Sequence, residues 1–380
     1  MDIKTLLNRN NLVTARENAG FSTTEATKKI SKSNKDTVLS WEIGESVPTF
    51  NQLEKLAKIY QVSPLLLLSP IAVPLQRIVP DFRSGNLSEG KDRINKLINL
   101  VIKRQGWLAE KLTSLNFGKN AIVGSGRALN TPDELAEYII KKLDISHGTI
   151  IGFSGETGKE KTLKYLVSLL EKQQVFVGKT LAEHRLTVKE MRGLFINNDL
   201  APFIVLNRKD AVAAQTFTLM HEVAHLFRAT EGISAVDFRT LDKEYSNDTN
   251  TEEIFCNATA AAILIPSSFI VDEVYDEQDI RSLAANFNVS NLFAFYRLKS
   301  LGKILRRRVD DLEKLFVSET AEAVKQRELK KKKDSGGSHV NNMRDSNGGL
   351  FNRVVQSFYA QNQISYTEAS NVLRFSAEQV

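Results

Sequence analysis

The apolar positions of this chain change rhythm four times along its length. Residues 1–70 carry short amphipathic runs separated by polar turns. "NLVTARENAG" sets Leu12 and Ala15 on one face and stops at Gly20. "STTEATKKI" opens with Ser22 three residues before Glu25, the spacing of a capping box, so a second helix begins there. "SNKDTVLSWEIGESVP" turns Val38, Leu39 and Trp41 inward and ends at Gly44, and "TFNQLEKLAKIYQVSPLLLL" supplies two further helices. The Pro-rich "PIAVPLQRIVPDFRSGN" that follows cannot sustain either period and predicts an extended linker over 71–89. From 90 to 300, helical spacing alternates with brief β-rich runs, among them "EMRGLFI" and "PFIVL". The stretch 330–348 lacks apolar periodicity and reads as a flexible linker; 349–380 returns to helical spacing and predicts a small two-helix element. The class is mainly α with a small β-sheet, that is α+β. A five-helix head over 1–70 is followed by a central domain over 90–275 and a helical extension over 276–329.

Composition narrows the setting. With 42% apolar and 25% charged residues the chain can bury ordinary cores. One cysteine, Cys256, excludes an internal disulfide and fits a cytoplasmic protein. No apolar run has the length of a membrane span, and the N-terminus lacks a secretory signal pattern. The formal charge of +6 sits largely in 301–333, with eleven Lys and Arg against six Asp and Glu. Such a run can attract nucleic acid, but a solvated helix end accounts for it equally well.

The chemistry concentrates in "TLMHEVAHLF". Residues i and i+4 of a helix share a face, so His221 and His225 can direct two imidazoles at one cation. Glu222 then stands beside the ion, where it can take a proton from water. Two core histidines without a metal are the plain alternative. With five histidines in 380 residues, the pattern arises by chance on the order of a few times per thousand such chains. A catalytic zinc needs a third protein ligand, and His147, His184 and His339 are not placed to supply it. The buried-looking helix "NTEEIFCNATAAAILIP" offers Glu253, with Glu252 as its rival about 100° around the helix. "GFSGETGKEKT" imitates a phosphate loop, but Phe153 stands where glycine is required and Glu160 follows Lys159.

Two resemblances follow from these residues. "ARENAGFS…WEIGESVPTFNQLEKLAKIYQVS" resembles the Xre/Cro-type repressors, departing from them at Thr23 and at Ala26-Thr27. That resemblance implies a helix-turn-helix head whose third helix enters the major groove of DNA with Lys35, Asp36 and Ser40 facing the bases. "FTLMHEVAHLF" with "EEIFCNATAAAILIP" is similar to the ImmA/IrrE metallopeptidases, and the glutamate four before Asn257 is Glu253. The likeness implies a zincin-like domain with one Zn2+ on His221, His225 and Glu253, and Glu222 as catalytic base. It also implies a specific protein substrate, typically a repressor. The alternative is a zinc-binding DNA-binding regulator without proteolysis. Pairing of two chains into a homodimer is left open.

Overall fold

The computed structural model describes residues 6–30, 36–60, 62–72, 91–153, 155, 157–181, 185–230, 232–234, 241, 251–331 and 339–376. They are mainly helical with one small sheet and fall into two compact units, one of residues up to 100 and the other from 101 onward.

The first unit holds α1 (Arg9–Asn18), α2 (Thr23–Ile30), α3 (Thr37–Ile43), α4 (Phe50–Tyr60) and α5 (Pro64–Leu68). Leu12, Ala15, Ala26, Val38, Trp41, Leu53 and Leu56 close its core. Ser22 and Glu25 form the reciprocal cap read from their spacing, at 2.8 and 3.2 Å. The first turns of α6 (Lys91–Ser114) belong here as well: Lys96 Nζ stands 5.9 Å over the ring of Phe21, and Ile94, Leu97 and Ile98 are buried. The compact units therefore part inside α6 and not at residue 90.

Asp36 occupies the N-cap of α3. Its carboxylate accepts from Thr23 Oγ1 (2.6 Å), Thr24 Oγ1 (3.1 Å), Thr27 Oγ1 (2.9 Å) and the Leu39 amide (3.1 Å). Burial opposes its ionisation, yet these donors hold its pKa below the ordinary value. The departures at Thr23 and Thr27 thus have a local purpose, tying α2 to the start of α3. Leu39, expected inward, is 43% exposed, and Ile43 one turn on is 59% exposed.

The second unit is built on a four-stranded sheet in the order β1-β3-β2-β4, from β1 (Phe176–Lys179), β2 (Gly193–Ile196), β3 (Phe203–Leu206) and β4 (Gly232–Ser234). β1 runs parallel to β3; β2 is antiparallel to both its neighbours. The residues of β2 and β3 are buried throughout, which is why they read as unbroken apolar runs. Before the sheet come α7 (Pro132–Leu143), α8 (His147–Gly152) and α9 (Gly158–Lys172). The helix carrying both site histidines, α10 (Val212–Arg228), is buried on every side from Gln215 to Phe227. A helix apolar all round needs covering all round. The sheet, α9, α7 and α11 (Thr251–Leu264) provide that cover.

In the extension, α12 (Glu277–Asn286) and α13 (Asn291–Ser300) pack against each other. Phe293–Leu298 of α13 are buried, and Arg297 Nε donates to the Ile265 carbonyl at 3.1 Å. This second helix is a core element and cannot enter a groove. After α14 (Val309–Lys331), the expected linker over 330–348 is corrected: His339–Asn347 form a helix, α15, followed by α16 (Gly349–Ala360) and α17 (Tyr366–Leu373). The polar run hid it because its anchors are asparagines. Asn347 is buried, donating to Leu373 O and Asn352 Oδ1 while accepting from Arg104.

α15 and α16 lie along β1. Gly348 has φ +85° and approaches so closely that a Cβ there would stand 1.9 Å from Val177 O. Lys179 pairs with Asp345 at 2.9 Å, and Phe351 meets Phe203 with ring centroids 5.9 Å apart. Among the described residues no helix is long and apolar enough to cross a membrane.

His147 packs against the rings of Phe269 and Phe287, which also touch each other, with Nε2 2.7 Å from Ile263 O. Burial pushes its pKa down, against the opposing pull of the carbonyl. The fold therefore holds the imidazole neutral. That stabilisation is complete above about pH 6.5, the unfolded value, and is lost as pH falls through the lower folded value. Thermal midpoints measured between about pH 7.5 and 5 should decline more steeply for the wild type than for His147→Phe. Parallel curves would remove His147 from the acid response.

Candidate metal centre

α10 and α11 pack side by side, and one face of each meets the other at the site. His225 Nε2 lies 3.0 Å from His221 Nε2 and 2.9 Å from Glu253 Oε1; His221 Nε2 lies 3.3 Å from Glu253 Oε2. The two imidazoles are fully buried and Glu253 is 5% exposed. Ligands about 2.0–2.1 Å from a tetrahedral ion stand roughly 3.3 Å from one another. The observed separations are close to that value. Glu253 Oε1 is buried, 2.9 Å from an imidazole nitrogen, and finds no hydrogen-bond geometry. Two imidazoles and one carboxylate are also the donor set of a catalytic zinc centre, so the residues present fit the metal. Burial disfavours the Glu253 carboxylate, and the adjoining nitrogens of His221 and His225 oppose that and lower its pKa.

Glu252 goes elsewhere. Its carboxylate accepts from Arg228 Nε (2.6 Å) and Nη2 (3.0 Å) and from Thr230 Oγ1 (3.0 Å). One residue along the helix, two adjacent carboxylates therefore do different work. A second grouping of His225, Glu252 and Cys256 also lies within 4.8 Å. There the guanidinium of Arg228 already balances the carboxylate. Burial, then the charge of Glu252, raises the Cys256 thiol well above its ordinary pKa. Cys256 is a core residue and not a nucleophile.

Glu222 is fully buried one position after His221. It faces the start of β2: a Cβ on Gly193 would stand 2.2 Å from Glu222 Oε1 and 2.5 Å from Thr218 Cγ2. Glycine in that strand allows the close approach of backbone to carboxylate. The end of α10 is held as firmly. Gly124 N and Gly126 N donate to Leu226 O and Phe227 O at 3.0 and 2.8 Å, and Arg127 Nε to Arg228 O at 2.9 Å. Ala229 then turns into the left-handed region at φ +51°, a conformation costing a non-glycine residue roughly 1–2 kcal/mol. The turn brings Thr230 back over the last turn of α10, where its amide donates to the His225 carbonyl at 3.0 Å.

The structure brings together His221, His225 and Glu253, with Glu222 buried on the same helix against β2. Of the residues expected to face DNA, Asp36 is engaged by four donors, Ser40 is half-buried with its hydroxyl 3.4 Å from Asp36 O, and Lys35 lies outside the described residues. His184 lies outside them as well. Arg192 pairs with Asp210 at 3.0 Å. β4 pairs with the outer side of β2 and sets Ser234 opposite Gly193. Sequence reading passed over Gly193 and Thr230. A lone glycine inside an apolar strand run was the available signal for the first. The second had none.

No curated protein matches the chain. Residues 177–299, from β1 into the last turn of α13 and including both helices of the site, match the model of the IrrE N-terminal-like domain, Peptidase_M78, which supports a metallopeptidase of the ImmA/IrrE type.

Proposed function

We propose that the chain is a zinc-dependent endopeptidase that cleaves one specific protein, a transcriptional repressor, with a DNA-binding head. The observation that carries the peptidase part is the convergence of His221, His225 and Glu253 with Glu222 buried beside them. The first three would hold the metal. When bound, zinc supplies Lewis acidity, lowering the pKa of water and polarising a carbonyl. Glu222 accepts a proton at its carboxylate as water attacks the peptide carbonyl, then returns it to the departing amine. Burial of α10 excludes bulk solvent from this transfer. The fixed strand at Gly193 keeps the carboxylate from swinging away. The test is co-expression with repressors encoded nearby: fragments should form with the wild type and not with Glu222→Gln. Equal fragment yields from both would overturn the assignment.

The repressor as substrate comes from the family resemblance, and the DNA part from the helical arrangement of the first unit. Nine basic against seven acidic residues over 1–70 make a modest electrostatic footprint. Contacts from Leu39 and Ile43 on α3 would be apolar, of the kind made to thymine methyl groups. Gel shifts of the full chain on DNA from its own promoter region should weaken as salt rises, with a shallow slope of about two to four phosphate contacts. A chain lacking residues 1–70 should show no shift. If both proteins shift DNA alike, the head is not the DNA-binding part.

A further inference from the structure

We propose that Thr230 and Glu252, anchored by Arg228, are positioning residues of the metal centre that fix the tautomer of His225. The inference rests on the peptidase reading for its metal.

The polarity of the hydrogen bonds carries it. Glu252 is held by two guanidinium nitrogens of Arg228, at 2.6 and 3.0 Å, so it is the ionised, accepting partner. Thr230 Oγ1 lies 3.0 Å from Glu252 Oε1 and must give its single proton there. The same hydroxyl lies 2.9 Å from His225 Nδ1, and with its proton committed it can only accept. His225 therefore carries its proton on Nδ1 and leaves the lone pair of Nε2 directed at His221 Nε2 and Glu253. The donors converge on Glu252: imidazole to hydroxyl to carboxylate from one side, and guanidinium to carboxylate from the other.

The backbone is arranged to allow this. Ala229 adopts φ +51° and reverses the chain directly after α10. Without that reversal Thr230 would continue away from the helix, and its hydroxyl could not meet a side chain five positions earlier. Arg228 is braced in turn by stacking over the Phe255 ring at 4.3 Å and by its bond to Leu129 O at 3.3 Å. Glu252 and Glu253 are thus successive residues with complementary tasks, one facing the ion and one orienting a ligand of that ion.

The test uses the full chain and zinc alone. Competition against a chromophoric chelator should give a zinc affinity 10- to 100-fold weaker for Thr230→Val than for the wild type. Thr230→Ser, which keeps the hydroxyl, should stay within about threefold. Long-range nitrogen–proton NMR of the zinc-free chain should place the His225 proton on Nδ1 in the wild type and in Thr230→Ser. In Thr230→Val that preference should be lost, a change that mere loosening of the loop would not produce. Wild-type zinc affinity in Thr230→Val, or an unchanged tautomer, overturns the inference while leaving the peptidase reading intact. A wild-type chain that takes up no zinc overturns both.

Discussion

Glu222→Gln should yield a protein that still binds one zinc ion per chain and cleaves its substrate about 10²- to 10⁴-fold more slowly, the contribution of a positioned general base. The substitution keeps size and hydrogen-bonding reach. It removes only the capacity to accept and return a proton. Glu222 lies between the two imidazole-bearing positions, fully buried, and is not one of the three residues that converge. Zinc affinity is therefore expected to stay near wild type, whereas His221→Ala should lose it. Single-turnover cleavage with zinc stoichiometry measured on the same sample separates the two effects. Cleavage by Glu222→Gln at the wild-type rate would move the proton transfer to another group and sink the mechanism given above.

Gly193→Ala is the second large expected effect, on a residue that touches no metal. The added methyl would stand 2.2 Å from Glu222 Oε1 and 2.5 Å from Thr218 Cγ2, so something must shift. The backbone has little freedom to retreat, because Gly193 is paired with Leu206 on one side and Ser234 on the other. Thr218 is β-branched and held on a buried helix. Glu222, with three side-chain torsions, is the group that yields. Cleavage should fall by about 10²-fold, as expected for a base displaced by an ångström or so. Zinc stoichiometry should be unchanged, and overpacking should cost stability on the order of 1–3 kcal/mol. Cleavage within about threefold of the wild type would mean that the carboxylate does not work from the position it holds against β2.

How far the sequence could be read follows from the range of the interactions involved. The histidine pair and Glu222 sit within five residues of one helix, so their geometry is implied by helical spacing alone. Choosing Glu253 over Glu252 was a different matter. The two lie one residue apart at the start of α11, and what separates them is Arg228, twenty-four positions earlier, which holds Glu252. The partners of Asp36 are hidden from the sequence for a similar reason. Its position before a helix is visible in the sequence, but the three threonine hydroxyls that bind it become apparent only once α2 and α3 are packed. The strand pair "EMRGLFI" and "PFIVL" was legible as β-structure. The covering of its outer edge by Gly232–Ser234 was not, since three residues carry no periodicity. α15 escaped notice because it is anchored through asparagine amides and close glycine contacts, and hydrophobic rhythm records neither.

The close passage of α15 and α16 along β1 has a bearing on solubility. A parallel strand at the margin of a sheet offers unpaired amides and carbonyls on which a second molecule could template itself. Here that margin lies beneath Gly348 and Ser346, near enough that neither Gly178 nor Gly348 has room for a side chain. The terminal forty or so residues thus act as a shield against self-association for the very sheet that supports the metal centre.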